Sequence, residues 1–230
     1  MKPEDRSATL AHVLPLVLFM GITEVARWLK VENSALPWWQ SAPEHWVYPV
    51  QCIVVGAVVM WFRRCYVLAP WKGWALGSVF AVLGILVWVA PAWLGWMDRS
   101  EGFNPNLFAT GSAAWWSTVL MRLVRMVVIV PLVEELFWRG FLMRYVQAED
   151  GQDWQRVPFG RHSWKAYAVV TAMVTVVHDM SDWPAAFVWG SLVYGLAVRT
   201  KSLGACVFMH AVGNLLLGLY ILKTQQWGFW

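Results

Sequence analysis

Charge is scarce in this chain: Asp, Glu, Lys and Arg make up 14% of its 230 residues, where a soluble domain carries about 25%. Hydrophobic residues make up 59%, more than one soluble core of this size can hide, so lipid is the expected solvent. Cysteine is also sparse. Cys52, Cys65 and Cys206 form no CxxC and no even-numbered framework, which excludes a disulfide scaffold. Cys52 and Cys206 fall in apolar runs and read as small packing residues, while Cys65 has a single basic neighbour, Arg64, too little to activate a thiol. No GxxxxGK[ST], no GxGxxG and no internal repeat occurs, so nucleotide chemistry has no foothold. The net charge of +4 fits basic loops beside a membrane better than nucleic-acid binding. The first apolar run carries Glu24 and Arg27 and has no small-residue cleavage site after it, so it is not a signal peptide and the N-terminus is expected to be retained.

What the chain has instead is apolar runs: residues 10–29, 46–62, 74–97, 114–146 (interrupted by Pro131), 166–180, 184–198 and 203–222. They predict an all-α, polytopic transmembrane bundle of about seven spans, or eight if the fourth is broken, forming one integral membrane domain over 1–230. The second, fifth and sixth runs are short against the roughly 20 residues a bilayer core requires. Basic residues cluster at alternate connections: Lys2 and Arg6; Arg63, Arg64 and Lys72; Arg144, Arg156, Arg161 and Lys165; Arg199 and Lys201. The positive-inside rule then puts the N-terminus in the cytoplasm and the C-terminus outside. Nineteen tryptophans, many at predicted span ends (Trp38, Trp93, Trp96 and Trp227 among them), read as an interfacial belt. Gly73, Gly77, Gly190, Gly195 and Gly213 read as close-packing points between helices.

Ionisable groups inside spans are costly and are functional candidates by default. The fourth run contains Glu134-Glu135-Leu-Phe-Trp-Arg139. On a helix Glu135 and Arg139 lie one turn apart and can pair, while Glu134 points about 100° away and stays free. A helix end with both glutamates in water is the bland alternative. The fifth run ends at His178, and the seventh holds His210 and Asn214 at i and i+4, on one face. Counted from Arg144, Lys165 and Lys201, the groups Glu134, His178 and His210 lie about 15, 20 and 13 Å deep, a common level at which three helices can bring them together. Glu24 and Arg27 are placed to pair. Arg122 and Arg125 read first as structurally paired, or else as snorkelling or holding a substrate carboxylate. His12, His45 and His162 read as solvated.

These residues resemble a known family. Glu134-Glu135-x-x-x-Arg139, His178 and His210-x-x-x-Asn214 are similar in order and spacing to the motifs of the CPBP intramembrane proteases, relatives of the type II CAAX prenyl endopeptidases. The resemblance covers roughly 114–220, with Gly190–Gly195 and Arg199–Gly204 adding to it. One departure is Val174, where the family usually has Phe. The length and tryptophan-rich N-terminal half also resemble a bacterial branch encoded with exosortase sorting systems. The resemblance implies a bacterial plasma-membrane endopeptidase acting on a membrane-associated protein or peptide. Glu134 would activate water, His178 would position it, His210 and Asn214 would donate to the oxyanion, and Glu135 and Arg139 would support the site. Such chemistry needs a water-filled polar cavity, expected to open to the cytoplasm. A metal-free mechanism is favoured. Zinc on Glu134, His178 and His210 is the alternative, since three ligands with an open position would serve. A transporter or proton relay using the same residues, or a non-catalytic scaffold, are the rival readings. Substrate identity and oligomeric state are not written in these motifs.

The topology is directly testable. Single-cysteine labelling in intact cells should find the loop 146–165 protected in the cytoplasm and residue 230 accessible from outside. Both chain ends on one side would show a span count wrong by one.

Overall fold

The computed structural model describes residues 3–33, 36–150 and 152–230, with the side chains of 3–6 excepted, so Lys2 and the Arg6 side chain lie outside the described residues. Seven long helices follow the seven apolar runs: α1 (Pro3–Leu29), α2 (Glu44–Trp61), α3 (Trp74–Trp93), α4 (Ala113–Tyr145), α5 (Trp164–Val176), α6 (Trp183–Thr200) and α7 (Leu203–Thr224). No strand occurs among the described residues. Serine starts three of the helices. The hydroxyls of Ser112, Ser163 and Ser202 accept from the backbone N–H three residues on, at Trp115, Ala166 and Ala205, filling orphan donors of α4, α5 and α7.

Four segments are long and apolar enough to cross a membrane: Ser7–Leu29, Trp74–Trp93, Ala113–Tyr145 and Leu203–Thr224. At 13 residues, α5 is only about 20 Å long, short of a bilayer core of about 30 Å. It also stops at Val176, before the expected end of the run, so His178 lies in the turn after the helix. Large apolar side chains in mid-helix point outward: Ile53 is 69% and Leu120 61% exposed. A surface of that kind requires a lipid solvent. The tryptophans divide. Trp28, Trp61, Trp93, Trp96 and Trp164 are exposed near helix ends, as a belt demands, but Trp138, Trp154, Trp189 and Trp227 are buried. Trp227 therefore leaves the expected belt. Cys52 and Cys206 are core residues.

The fourth run does not break. It is one 33-residue helix, and two π-helical stretches, Arg125–Ile129 and Leu136–Leu142, bracket the glutamates. In the first stretch the Val130 N–H bonds back to the Arg125 carbonyl. The next donor in that register is residue 131, a proline with no N–H. The π stretch therefore carries the helix past Pro131, and the Met126 carbonyl is left for a partner from elsewhere.

Packing brings α4 into contact with α1 and α7, α3 with α6 and α7, and α5 with α6. The loops gather at two ends. At one, Trp154 donates to Thr9 Oγ1 (3.0 Å), and the Gly204 N–H donates to the Leu68 carbonyl (2.9 Å). At the other, Arg99 pairs with Asp182, and the Gly228 N–H donates to the Arg99 carbonyl (2.8 Å). Between them, the Trp189 indole of α6 fills a slot between α3 and α7 that exists because Gly84 and Gly213 have no side chains. A Cβ on Gly84 would fall 2.5 Å from Trp189 Cε3, and one on Gly213 would overlap the same ring. Gly77 and Gly190 also sit at contacts. Gly195 faces open space, so its expected packing role is not found.

Gly213→Ala should therefore cost about 1–3 kcal/mol by overpacking, read as a lower midpoint in thermal unfolding of the solubilised protein. Gly195→Ala should be neutral or stabilising by up to about 1 kcal/mol, from helix propensity alone.

Candidate active site

The glutamate pair divides as its helical spacing predicts. Glu135 is fully buried, and its Oε1 accepts from Arg139 Nη1 (3.1 Å) and from His210 Nδ1 (2.9 Å). Arg139, itself buried, also donates Nη2 to the Gly190 carbonyl (3.3 Å). One carboxylate thus joins α4 to α7, and its arginine joins α4 to α6. Glu135 Oε2 and Arg139 Nε are buried with no hydrogen-bond partner among the described residues. Glu134 is half-buried, and it makes no hydrogen bond or ion pair among the described residues.

Glu134, His178, His210 and Asn214 all line one cavity of about 330 Å³. Both imidazoles have their Nδ1 committed. His178 donates it to the Val174 carbonyl (2.7 Å) and His210 donates it to Glu135. A carbonyl or carboxylate only accepts, so Nδ1 carries the proton in each ring and Nε2 is left for the cavity. The Val174 that departs from the family pattern is thus a buried residue whose carbonyl anchors His178. Trp88 and Trp189 meet His178 and His210 edge to face, at 5.3 and 5.4 Å between centroids. Asn214 supplies what Pro131 withholds: its Nδ2 donates to the Met126 carbonyl at 2.5 Å. That hydrogen bond uses one of its two amide protons, a commitment the sequence did not reveal.

From Glu134 and His210 the cavity continues past Asn214 and Arg125 to Arg122, Asp182 and residues 228–230. It leads to the end of the bundle opposite the basic loops, whereas the sequence reading put its opening on the side of those loops. The reason is packing: on the basic side the Glu135–Arg139 pair and the buried Trp138, Phe141 and Leu142 close the floor. At the mouth, burial pushes the Asp182 carboxyl above its ordinary value, and the paired Arg99 guanidinium opposes this.

Several lesser expectations change. Arg122 and Arg125 are buried but pair with no carboxylate among the described residues, because Glu135 and Asp182 are engaged by other arginines. Arg125 instead donates to Gln51 Oε1 (2.6 Å) and Thr23 Oγ1 (3.2 Å) and lies over the rings of Tyr48 and Phe19, at 4.1 and 4.6 Å. His12 is buried against Tyr66 and Trp154, donating to the Ala8 carbonyl (2.8 Å), and His45 stacks on Phe103 at 4.4 Å, so neither is solvated. His162 is exposed, and Glu24 and Arg27 pair at 2.8 Å on the surface.

Two free imidazole Nε2 atoms and a carboxylate are suitable zinc donors by type. Among the described residues, however, no three His, Cys, Asp or Glu side chains converge as a metal-ligand set. Glu134, His178 and His210 share the cavity without forming that set, so zinc does not fit this arrangement and no step is routed through it.

Residues 114–216 match the sequence model of the Rce1-like family, described as Type II CAAX prenyl endopeptidase Rce1-like. The matched segment begins in α4 and ends in α7, and it contains every residue of the pair, the two cavity histidines and Asn214. Comparison with curated proteins and with solved structures returns no match. Over that segment, a little under half of the chain, the protein is similar to the type II CAAX prenyl endopeptidases, and four helices long and apolar enough to cross a membrane make it an integral membrane protein.

The two glutamates should separate in stability measurements. Glu135→Ala leaves the Arg139 charge buried and unpaired and should cost about 3–5 kcal/mol. Glu134→Ala removes a group without partners and should stay within about 1 kcal/mol of wild type. Asn214→Leu should cost about 1–3 kcal/mol by orphaning the Met126 carbonyl.

Proposed function

We propose that this protein, whose segment 114–216 carries the Rce1-like match, is an intramembrane endopeptidase. It hydrolyses a peptide bond of a membrane-associated protein or peptide with a water activated by Glu134. One observation carries this reading: Glu134 is a half-buried carboxylate with no hydrogen bond or ion pair among the described residues, lining a cavity, while its neighbour Glu135 is locked by Arg139 and His210. A carboxylate in that position can take a proton from water as the oxygen attacks the carbonyl carbon, and return it to the amine as the C–N bond breaks. His178 holds the attacking water through Nε2. His210 acts as the imidazolium, with Nδ1–H on Glu135 and Nε2–H on the developing oxyanion. The second amide proton of Asn214 completes the oxyanion site, and each such donor contributes about 100- to 1,000-fold in rate.

The basic loops belong in the cytoplasm on this reading, with the N-terminus inside, the C-terminus outside and all seven helices inserted. The cavity mouth then faces outward, and the substrate enters from that side. Chain length and the tryptophan-rich N-terminal half favour the exosortase-associated bacterial branch and the bacterial plasma membrane.

The test is cleavage of membrane-anchored peptide reporters by the purified protein. Glu134→Gln should abolish turnover while the protein inserts and unfolds as wild type does; full activity in that variant would sink the mechanism. The same assay tests the metal-free reading. Activity should persist in a strong chelator, whereas loss on chelation with recovery on adding zinc would make His178 and His210 ligands.

A further inference from the structure

Two guanidinium groups along the active cavity form no ion pair among the described residues. Arg122 is 6% exposed, and its Nε and Nη1 are buried with no hydrogen-bond partner among the described residues. The guanidinium lies over the Tyr48 and Phe103 rings, each at 5.1 Å. Arg125 stands one turn along α4. Its Nε and one terminal nitrogen are held by Gln51 and Thr23, which fix its plane. Gln51 is fixed in turn by donating to the Phe19 carbonyl (2.6 Å) and Thr23 Oγ1 (2.8 Å). Both arginines line the cavity that Glu134 lines.

A structural arginine at such depth normally has a carboxylate, because an unpaired buried charge costs several kcal/mol. The acids nearby do not serve. Asp182 is taken by Arg99, Asp179 is exposed, and Glu44 lines the adjoining cavity with Arg122 but forms no ion pair among the described residues. Arg125 feels the Glu134 carboxylate but forms no ion pair or hydrogen bond with it among the described residues. Two arginines whose planes are set by aromatic faces and an amide are prepared for a planar anion that accepts from both.

We propose that Arg122 and Arg125 form a carboxylate-binding subsite that anchors the free C-terminal α-carboxylate of the peptide substrate. The inference rests on the protease reading and deepens it. The cavity volume of about 330 Å³ suits a few peptide residues and is too small for a diacyl lipid, so a peptide carboxylate is favoured over a headgroup phosphate. Anchored there, a peptide extends along α4 toward Glu134, and a substrate lacking the free carboxylate loses both its register and the charge that neutralises the arginines.

The probes are N-acetyl-trileucine and its C-terminal amide, titrated into the full-length protein in nanodiscs. The acid should bind at least tenfold more tightly than the amide, in wild type and in Glu134→Gln alike, so a failed cleavage mechanism leaves this result readable. Arg122→Gln should erase the difference. It should not lower the thermal midpoint of the unliganded protein, because it removes an uncompensated charge. Equal binding of acid and amide to wild type, which needs no variant to fold, overturns the proposal. So does an acid preference that survives Arg122→Gln, or one abolished by phosphatidic acid in the nanodisc, which would make the site a lipid-headgroup site.

Discussion

The Glu135 carboxylate is the point on which the cavity-bearing half of this bundle depends. It is fully buried and accepts from Arg139 and His210 through a single oxygen. Removing any one of the three groups leaves another charged or polar group buried without compensation, a loss of several kcal/mol. The network therefore fixes the relative positions of α4, α6 and α7 more strictly than apolar packing in lipid can, since lipid gives helices little hydrophobic reason to associate. It also selects the His210 tautomer. With Nδ1 held on Glu135, the ring presents Nε2 to the cavity, and a structural contact thereby sets the chemistry of a cavity residue.

A second constraint, on α4, follows from one missing hydrogen. Pro131 has no N–H, the π stretch before it shifts the hydrogen-bond register, and the Met126 carbonyl turns to Asn214 on α7. Both devices link the same two helices, one on either side of Glu134. That residue is held in place by its backbone while its side chain stays uncommitted.

How much of this was legible varied with the range of the interaction. The i,i+4 pairing of Glu135 with Arg139 could be read directly, and so could the turn of Glu134 away from that pair, because helical spacing alone decides both. The helices themselves followed from the apolar runs, although α5 stops short of His178. The contact between His210 and Glu135 could not be read, since the two are 75 residues apart in sequence and depend on how α7 meets α4. The Asn214 bond to Met126 required knowing a π register. The misread arginines are instructive: charges inside a span were expected to pair, but Arg125 satisfied itself with Gln51, Thr23 and two aromatic faces. An amide and a hydroxyl give no charge pattern to search for. The buried tryptophans were hidden similarly, since the slot around Trp189 depends on Gly84 and Gly213 being aligned across two helices.

The direction of the cavity follows from these same contacts. Arg139, Trp138 and Phe141 pack beneath the glutamate pair and exclude water from the side of the basic loops. Above it, Glu134, the two imidazoles and the arginines leave polar surface that the protein does not satisfy for itself. A buried polar group without a partner is a liability in a fold that has no other use for it. Here the unsatisfied groups are not scattered. Glu134, the two Nε2 atoms and the Arg122 nitrogens line one space, ordered as a carboxylate at the deep end and cations farther out. Water and a peptide would satisfy all of them together: the water at Glu134, the peptide carbonyl at the His210 and Asn214 donors, and an anionic group at the arginines. On the proposed function, a substrate satisfies these groups only in the geometry the reaction needs, which ties binding to chemistry.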